Sequence, residues 1–366
     1  MNDTLYGTTS TGGGGHCGEK RGCGTVFSYN VGTSIGETIL YRFQNGQDGA
    51  NPYSGVIAED NILYGTTYQG GGCPESSIGC GTVFAVNLGA SGAESVIYRF
   101  MGGQDGASPL AGLIAIGGNL YGTTIAGGTD GTVYQVTSQG DESVLYRFSG
   151  GRNGREPQAP LIQVNNALFG TTTGGGLYPK SCNPVGCGTI FSLTPGPSYN
   201  QESVVHRFQG GKRGADPMGS VTDVNGQLYG TTYAGGGTGC AGGQGCGTLF
   251  TINPSSGEMR TLYRFKGVDD GAYPDGNLLF LNGVLYGTTA SGGGQGCRNG
   301  VGCGTVFAFT PSSSALTIVY AFKGGMNGQS PTGLTAIGGM IYGSTASGGG
   351  GCKYNLGCGT LFSVTP

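Results

Sequence analysis

Six close pairs of cysteines are the residues best placed to do chemistry in this sequence. One pair lies in LYGTTYQGGGCPESSIGCGTVF, from Leu63 to Phe84. Two neighbouring thiols can form a disulfide in an oxidising compartment, or supply half of a tetrahedral zinc site. Zinc would need further ligands, and the only histidines are His16 and His206. We therefore predict six local disulfides, with no metal and no cofactor. The pairs are Cys17–Cys23, Cys73–Cys80, Cys182–Cys187, Cys240–Cys246, Cys297–Cys303 and Cys352–Cys358.

A seventh copy of the segment supports the pairing. Around Tyr121 it reads YGTTIAGGTDGTVY, so both cysteines are absent and the loop is short. Cysteines that are lost together behave as partners. A disulfide across so short a loop stabilises by about 2 kcal/mol on the entropy model.

Two ionisable residues differ from their counterparts elsewhere in the chain. His206 replaces the tyrosine of a recurring phrase, ESVIYRF. Asp223 stands where the equivalent segments carry Ala58, Ala115, Gln163, Phe280 and Ala336. A histidine beside a carboxylate can serve as a general acid or base near neutral pH. His206 and Asp223 are therefore the candidate catalytic residues, and the alternative is that each is a neutral replacement. No Gly-x-Ser-x-Gly nucleophile motif occurs.

The segments around the cysteines vary most between copies. Varied loops on a regular scaffold are where repeat proteins often bind their ligands. The alternative is tolerated surface variation. The predicted ligand-binding residues are the charged and aromatic side chains of these loops: Glu19, Lys20, Arg21, Tyr178, Lys180, Arg298, Lys353 and Tyr354.

A set of charged residues instead recurs at a fixed place. It comprises Arg42, Arg99, Arg147, Arg207 and Arg264, the preceding Glu37, Glu94, Glu142, Glu202 and Glu258, and Asp48, Asp105 and Asp270. We expect each arginine to connect neighbouring repeats through carboxylates or loop carbonyls, because its planar fork of donors suits both. The alternative is a ring of equivalent sugar sites.

These residues are positioned by seven tandem repeats of about 56 residues, which start near residues 5, 63, 120, 168, 228, 285 and 341. Each repeat contains four short strand-like phrases: A (GLIAI), B (LYGTT), C (GTVFAV) and D (SVIYRF). They are rich in β-branched and aromatic residues and bounded by turn residues. Four antiparallel strands in seven copies predict an all-β, seven-bladed β-propeller over residues 1–366, formed as a single domain, with one disulfide in the B–C loop of six repeats. A parallel β-helix is the rival architecture.

The repeats resemble the GloVer tandem repeats of secreted or surface-anchored bacterial proteins, and the resemblance covers essentially the whole chain. It implies an exported, propeller-like protein, often with a C-terminal anchoring signal, and it implies no particular activity.

Composition narrows the possible partners. The 366 residues include 82 glycines and 15 prolines, only 10% are charged, and the formal net charge is −3. No basic patch suggests nucleic acid, and no apolar run is long enough to span a membrane. We expect a secreted or cell-surface protein. No signal peptide precedes the first repeat in this chain: either a native leader has been removed or the protein never had one, and the cysteines favour the first alternative.

The four strand phrases do not occur equally often. Seven copies of B and C accompany six of D and A, so we expect the first sheet to lack an A strand and the last to lack a D strand. An unfilled edge can accept a strand from another chain. The sequence thus favours a binding protein for a glycan or a surface partner, acting through the stapled loops or a central channel. The alternatives are a polysaccharide lyase or hydrolase with its site at the channel mouth, and a structural protein that self-assembles through the incomplete blade.

Overall fold

The computed structural model describes residues 3–14, 17, 22–32, 36–74, 76, 78–90, 93–182, 184–194, 202–237, 239–240, 243–294, 296–297, 301–350 and 358–366. Its secondary structure is a succession of short antiparallel strands, with 3-10 turns at Leu88–Ala90, Gly151–Asn153, Gly211–Arg213 and Gly325–Asn327. Among these residues, no helix is long and apolar enough to cross a membrane.

Two compact units are distinguished by their internal contacts: residues 1–163 with 193–202, and residues 164–192 with 203–366. The first unit contains the first three sheets. Their strands are β1 (Thr4–Thr9), β2 (Thr25–Asn30), β3 (Glu37–Arg42); β4 (Ile57–Glu59), β5 (Ile62–Thr67), β6 (Thr82–Asn87), β7 (Ala93–Arg99); and β8 (Ile114–Ile116), β9 (Asn119–Thr124), β10 (Thr132–Thr137), β11 (Glu142–Arg147).

The second unit contains the last three sheets. Their strands are β16 (Thr222–Val224), β17 (Gln227–Thr232), β18 (Thr248–Ile252), β19 (Met259–Arg264); β20 (Leu279–Leu281), β21 (Val284–Thr289), β22 (Thr305–Thr310), β23 (Ala315–Ala321); and β24 (Gln329–Ile337), β25 (Met340–Ser347), β26 (Thr360–Val364). The fourth sheet comprises β12 (Ile162–Val164), β13 (Ala167–Thr172), β14 (Thr189–Leu193) and β15 (Glu202–Arg207).

The second to sixth sheets have the strand order A-B-C-D, and in all seven sheets strands that are neighbours in sequence are paired. The predicted all-β, seven-bladed β-propeller is confirmed. The first sheet has three strands and lacks A, and the last has three strands and lacks D, as the phrase count predicted. That the whole chain forms a single domain stays a prediction.

The glycine of strand B is required by the aromatic residue of strand C. Gly7 pairs with Phe27, and Gly230 pairs with Phe250. A Cβ atom at either glycine would lie 2.6 Å from the phenylalanine ring. Any other residue would therefore displace a buried ring, which explains why Tyr-Gly-Thr recurs beside Thr-(Val/Ile/Leu)-(Phe/Tyr).

A threonine pair ties strands B and C at one end of every sheet. The hydroxyl oxygens of Thr67 and Thr82 are 2.9 Å apart, and the Thr67 hydroxyl also donates to the Gln69 carbonyl at 2.9 Å. Both side chains are buried, so these bonds satisfy hydroxyls that would otherwise be costly to bury. The equivalent pairs are Thr9–Thr25, Thr124–Thr132, Thr172–Thr189, Thr232–Thr248, Thr289–Thr305 and Thr345–Thr360.

Five of the six predicted disulfides lie within the described residues, and all five are formed. Their Cα–Cα distances are 5.1 to 5.4 Å. The bonds are Cys17–Cys23, Cys73–Cys80, Cys182–Cys187, Cys240–Cys246 and Cys297–Cys303. Cys358 is disulfide-bonded, and its predicted partner Cys352 lies outside the described residues.

The third repeat replaces its disulfide with an ion pair. In the fifth repeat, a Cβ atom at Gly267 in the D–A turn would lie 3.0 Å from the Cys240 sulfur. The Cys240–Cys246 disulfide of the fifth repeat therefore packs against this glycine. At the equivalent Gly150 the nearest atom is the Asp130 carboxylate, at 2.6 Å. The Arg155 guanidinium is 3.4 Å from Asp130. Asp130 thus fills the position of the sulfur atoms in the short loop.

The recurrent arginines connect neighbouring repeats. Arg99 Nε donates to the Gln47 carbonyl of the preceding D–A turn at 2.9 Å. Arg147 bonds the Gln104 carbonyl at 2.8 Å, and Arg264 bonds the Lys212 carbonyl at 3.0 Å. The prediction that these arginines reach loop carbonyls is confirmed.

Candidate functional site

The repeats share a position, directly before a proline, at which the backbone is constrained and the side chain varies from repeat to repeat. In six repeats a residue other than glycine has a φ angle between 53° and 61° there. Such left-handed conformations cost of order 1 kcal/mol and are common at functional sites. The residues are Asn51, Ser108, Glu156, Asp216, Tyr273 and Ser330.

Backbone hydrogen bonds hold this position on both sides. The Asp216 N–H donates to the Cys187 carbonyl at 3.0 Å, and the Tyr273 N–H donates to the Cys246 carbonyl at 2.8 Å. The Asp216 carbonyl accepts from the N–H of Tyr233, the residue after β17, at 2.8 Å. The scaffold therefore presents whichever side chain stands here in a fixed direction.

In the second unit this position contributes to a group of four residues that we call the tyrosine-stack cluster: Asp216, Tyr233, Tyr273 and Asp275. The rings of Tyr233 and Tyr273 are stacked, with centroids 4.9 Å apart and an interplanar angle of 25°. Asp216 and Tyr273 are the constrained residues of consecutive repeats, and Asp275 follows two residues after Tyr273.

Burial in the tyrosine-stack cluster makes both of its carboxyl groups harder to ionise. Burial raises the pKa of Asp216 to about 6. Burial also raises the pKa of Asp275 to about 6, against the opposing effect of backbone N–H groups at Asp275 and Gly276. Burial, and then the charges of Asp275, Tyr273 and Asp216, raise the pKa of Tyr233. Asp275 Oδ1 is buried and has no hydrogen-bond partner among the described residues.

This arrangement suits a hydroxyl-rich ligand. A stacked aromatic pair offers flat apolar area, and carboxyl groups donate to or accept from hydroxyls. A carboxyl group with a pKa of about 6 can also hold or release a proton near neutral pH, as general acid–base chemistry requires. Among the described residues, no group of three or more histidine, cysteine or acidic side chains is arranged to hold a metal ion.

A second group, the recurrent acid cluster, lies in the first unit and consists of Tyr41, Asp48 and Glu94. The Tyr41 hydroxyl and the Gln44 N–H each donate to Asp48 at 2.9 Å. Burial, then the charge of Asp48, raise the pKa of Glu94 to about 7.

A copy of this cluster contains Tyr98, Asp105 and Glu142. The Tyr98 hydroxyl and the Met101 N–H each donate to Asp105 at 2.6 Å. Burial, then the charge of Asp105, raise the pKa of Glu142 to about 7. Because the same bonds recur, we interpret the recurrent acid cluster as scaffold.

His206 occupies the tyrosine position of this recurrent arrangement, and Arg213 occupies the aspartate position. The His206 ring lies edge-on to Phe208, with centroids 5.2 Å apart, and its Nδ1 is 3.4 Å from the Gly257 carbonyl. Burial lowers the pKa of His206, and the Arg213 charge lowers it further against the Gly257 hydrogen bond. The pair Tyr–Asp has thus been replaced as a unit by His–Arg.

The other predicted site residues are not members of the tyrosine-stack cluster. Asp223 is exposed on β16, and its Oδ1 accepts from the Gly226 N–H at 2.9 Å in the A–B turn. Tyr178 and Lys180 are exposed in the fourth B–C loop. Six predicted ligand-binding residues lie outside the described part of the chain: Glu19, Lys20, Arg21, Arg298, Lys353 and Tyr354. Their roles, and those of His206 and Asp223, stay predictions.

Sequence reasoning did not identify the tyrosine-stack cluster. The signal in the sequence was the residue directly before each of two prolines, aspartate in ADPM and tyrosine in AYPD. Asp216 and Tyr273 stand where other repeats carry Asn51, Ser108 and Ser330. Comparing that position across repeats would have identified both as unusual.

Comparisons with known proteins agree with this architecture. A family model described as the Gloeobacter/Verrucomicrobia repeat matches residues 1–241 and again 130–362. A search of curated protein sequences found no match.

Solved structures of similar fold have low sequence identity. A putative 6-phosphogluconolactonase from Bacteroides uniformis is 13% identical, with a TM-score of 0.57 over 94% of this chain and 90% of that chain. An oligogalacturonate lyase in complex with manganese is 11% identical, with a TM-score of 0.53 over 93% and 82%. A nidogen/laminin complex gives 14% identity and a TM-score of 0.50 over 87% and 93%. At these identities the likeness shows the fold alone.

Proposed function

Because the chain belongs to the Gloeobacter/Verrucomicrobia repeat family, we propose that it is a secreted binding protein that recognises a glycan through the tyrosine-stack cluster. The observation that carries the proposal is the stack of Tyr233 on Tyr273, 4.9 Å apart, beside two half-buried carboxyl groups. Aromatic faces and buried hydroxyl acceptors are the usual parts of a small-ligand site.

The disulfide-stapled loops support this proposal by their position. Tyr233 is the first residue after β17 and so begins a B–C loop, which the Cys240–Cys246 disulfide closes. A pinned loop loses less conformational entropy on binding, which favours affinity. Tyr178 and Lys180 are exposed in the preceding B–C loop, and their part in binding is a separate prediction.

The disulfides support the proposed extracellular location. Five are formed among the described residues, and such bonds persist in oxidising compartments. Propellers also commonly bind proteins, so a surface protein is the alternative partner.

A second candidate function is a polysaccharide lyase or hydrolase acting at the same cluster. It is favoured by the two carboxyl groups of Asp216 and Asp275, each with a pKa raised to about 6 by burial. One could donate a proton while the other accepts one. An oligogalacturonate lyase shares the fold.

Glycan-array binding followed by calorimetry tests the first proposal. Tyr273→Ser inserts the residue that Ser108 and Ser330 supply in other repeats, so the backbone is expected to tolerate it. We expect at least about a tenfold loss of affinity, the size of one aromatic stacking contact. The matched control is Tyr53→Ala, which removes an exposed ring that meets Tyr68 edge-on, at 5.4 Å, in the first unit.

Equal loss in both variants, or loss in the control alone, would contradict the assignment. Assays for reducing ends and for unsaturated products distinguish the enzyme. Asp216→Asn, which inserts the residue found at Asn51, should abolish turnover if the cluster is catalytic and leave binding largely intact if it is not.

A further inference from the structure

The lysines and arginines of the second unit are concentrated at one end of its sheets. Because antiparallel strands reverse direction at every turn, the B–C loops and the D–A turns lie at the same end. Among the described residues of this unit, every lysine and arginine except Arg260 belongs to a B–C loop, a D–A turn or the last residue of a D strand. We call this surface the basic end. Its exposed cations are Lys180, Lys212, Arg213, Arg264, Lys266 and Lys323.

Contacts between loops and turns make the basic end continuous. A Cβ atom at Gly239, in the fifth B–C loop, would lie 3.7 Å from the Lys266 carbonyl oxygen of the D–A turn. Arg264 Nε donates to the Lys212 carbonyl of the preceding D–A turn at 3.0 Å. Turns of consecutive repeats therefore adjoin each other and the loops beside them, and each carries at least one exposed cation.

The tyrosine-stack cluster lies at this same end. Tyr233 is the first residue of a B–C loop, and the other three members lie in D–A turns. The Tyr273 N–H donates to the Cys246 carbonyl at 2.8 Å, which joins a D–A turn to a B–C loop. A ligand bound at the cluster would therefore lie among the cations of the basic end.

The acidic residues of the basic end offset little of its charge. Asp270 is buried and accepts from the Tyr263 hydroxyl at 2.6 Å. Burial makes Asp216 and Asp275 harder to ionise, because it raises the pKa of each to about 6. Among the described residues at this end of the second unit, Asp269 is the one exposed acidic side chain. The exposed surface is therefore positive.

The opposite end of the same sheets has the reverse balance. Its exposed charged residues in the described part of the second unit are Asp223, Glu258 and Arg260. The formal net charge of the whole chain is −3, so overall composition does not account for a positive end. The cations are separate in the sequence, and the fold brings them together from different repeats.

We propose that the ligand of the tyrosine-stack cluster is an anionic glycan, whose carboxylate or sulfate groups contact the cations of the basic end. This inference rests on the proposed glycan binding and names the class of glycan. Cations spaced along consecutive turns are complementary to anionic groups spaced along a linear polymer. The tyrosine-stack cluster supplies partners for sugar hydroxyls, and so favours a glycan over other polyanions.

Calorimetry with matched polymers tests the charge requirement. Polygalacturonate carries one carboxylate on each sugar, and its methyl ester has the same backbone without the charges. We expect the ester to bind at least about tenfold more weakly, since it loses several exposed ion pairs. Raising the salt concentration from about 0.05 M to about 0.5 M should weaken binding of polygalacturonate alone, because salt screens exposed charges. Dextran sulfate compared with dextran shows whether sulfate serves as well as carboxylate.

A matched pair of protein variants locates the contact. Lys266 follows β19 by two residues at the basic end, and Arg260 is exposed near the start of β19 at the opposite end. Lys266→Glu should weaken polygalacturonate binding about tenfold, because an attraction becomes a repulsion. Arg260→Glu makes the same change of charge and should leave binding unchanged. Circular dichroism checks that both variants fold.

Equal affinity for polygalacturonate and its methyl ester, or equal effects of Lys266→Glu and Arg260→Glu, would overturn the inference. Binding of the uncharged polymers that Tyr273→Ser weakens would leave the proposed glycan site standing without it. Binding that Lys266→Glu weakens and Tyr273→Ser does not would instead move the site away from the tyrosine-stack cluster. Tighter binding of duplex DNA or of phosphatidylserine vesicles than of any glycan would assign the basic end to that polyanion, and failure to bind any of the glycans would overturn both proposals.

Discussion

The recurrent acid cluster and the tyrosine-stack cluster contain the same residue types and use them in opposite ways. In the first, the Asp105 carboxylate accepts hydrogen bonds at 2.6 Å from the Tyr98 hydroxyl and from the Met101 N–H. In the second, the tyrosines stack on each other, and Asp275 Oδ1 is buried without a described partner. Glu94 Oε1 and Glu142 Oε1 of the recurrent acid cluster and its copy are also buried without a described partner, so recurrence is what separates the two clusters. An arrangement that recurs from repeat to repeat stabilises the fold, whereas one that occurs once is available to a ligand.

The replacement at His206 sharpens this distinction. The fourth repeat lost both the tyrosine and the aspartate of the recurrent arrangement and carries His206 and Arg213 in their place. Its sheet nevertheless keeps all four strands. The recurrent arrangement can therefore be exchanged as a unit, as expected of a structural element.

The largest predicted difference between the clusters is in stability. Asp105→Ala removes two short hydrogen bonds to a carboxylate and should lower the free energy of unfolding by about 3 kcal/mol. Asp105→Asn, which inserts the residue found at Asn153 and Asn327, should cost about 1 kcal/mol because it keeps one acceptor. Asp275→Asn should cost nothing measurable, since burying a neutral amide is easier than burying a charge.

Urea unfolding followed by far-ultraviolet circular dichroism measures these differences, and the chain has no tryptophan to follow instead. If Asp275→Asn destabilised the protein as much as Asp105→Ala, the tyrosine-stack cluster would be scaffold as well.

The second predicted effect is a pH dependence that belongs to the recurrent acid cluster. The pKa of Glu94 and that of Glu142 are raised from 4.5 to about 7. The folded protein thus holds these protons more tightly than the unfolded chain. Stability from this source is present below pH 4.5 and is lost as the pH rises through about 7.

Glu94→Gln and Glu142→Gln should remove this loss. The gain at pH 8 should be roughly 1 kcal/mol each, a value reduced for solvent screening because the groups are only half-buried. Unfolding curves at pH 5 and pH 8 measure it. Glu37→Gln is the control, because Glu37 is exposed at the same position of the first repeat. An unchanged pH dependence in the two variants would show that the raised pKa values are not a property of this cluster.

Much of the fold could be predicted because the seven repeats share one sequence pattern. The strand phrases, the strands absent from the first and last sheets, the disulfides and the arginine contacts all follow from comparing copies. The absence of a cysteine pair from the third repeat was also informative, because Asp130 lies against Gly150 where other repeats have the disulfide.

The tyrosine-stack cluster could not be predicted in this way. Its residues come from two consecutive repeats, and Asp216, Tyr273 and Asp275 each differ from their equivalents. Whether Tyr233 reaches Tyr273 depends on the angle between neighbouring sheets, which a local pattern does not contain. Residues that recur in every repeat identify the scaffold. The candidate site is found only when the three-dimensional positions of the residues that do not recur are known.

The smallest predicted effect concerns how the carboxyl groups influence one another. The charge of Asp105 contributes to the raised pKa of Glu142, second to burial. Asp105→Asn should therefore lower the pKa of Glu142 below about 7. Burial alone raises the pKa of Asp275 to about 6, so Asp216→Asn should leave it unchanged. Carbon-detected titration of the labelled carboxyl groups by nuclear magnetic resonance measures both. A fall in the pKa of Asp275 would mean that the charges of Asp216 and Asp275 interact, and this coupling would favour the enzyme over the binding protein, because paired carboxyl groups whose pKa values influence one another are suited to acid–base catalysis.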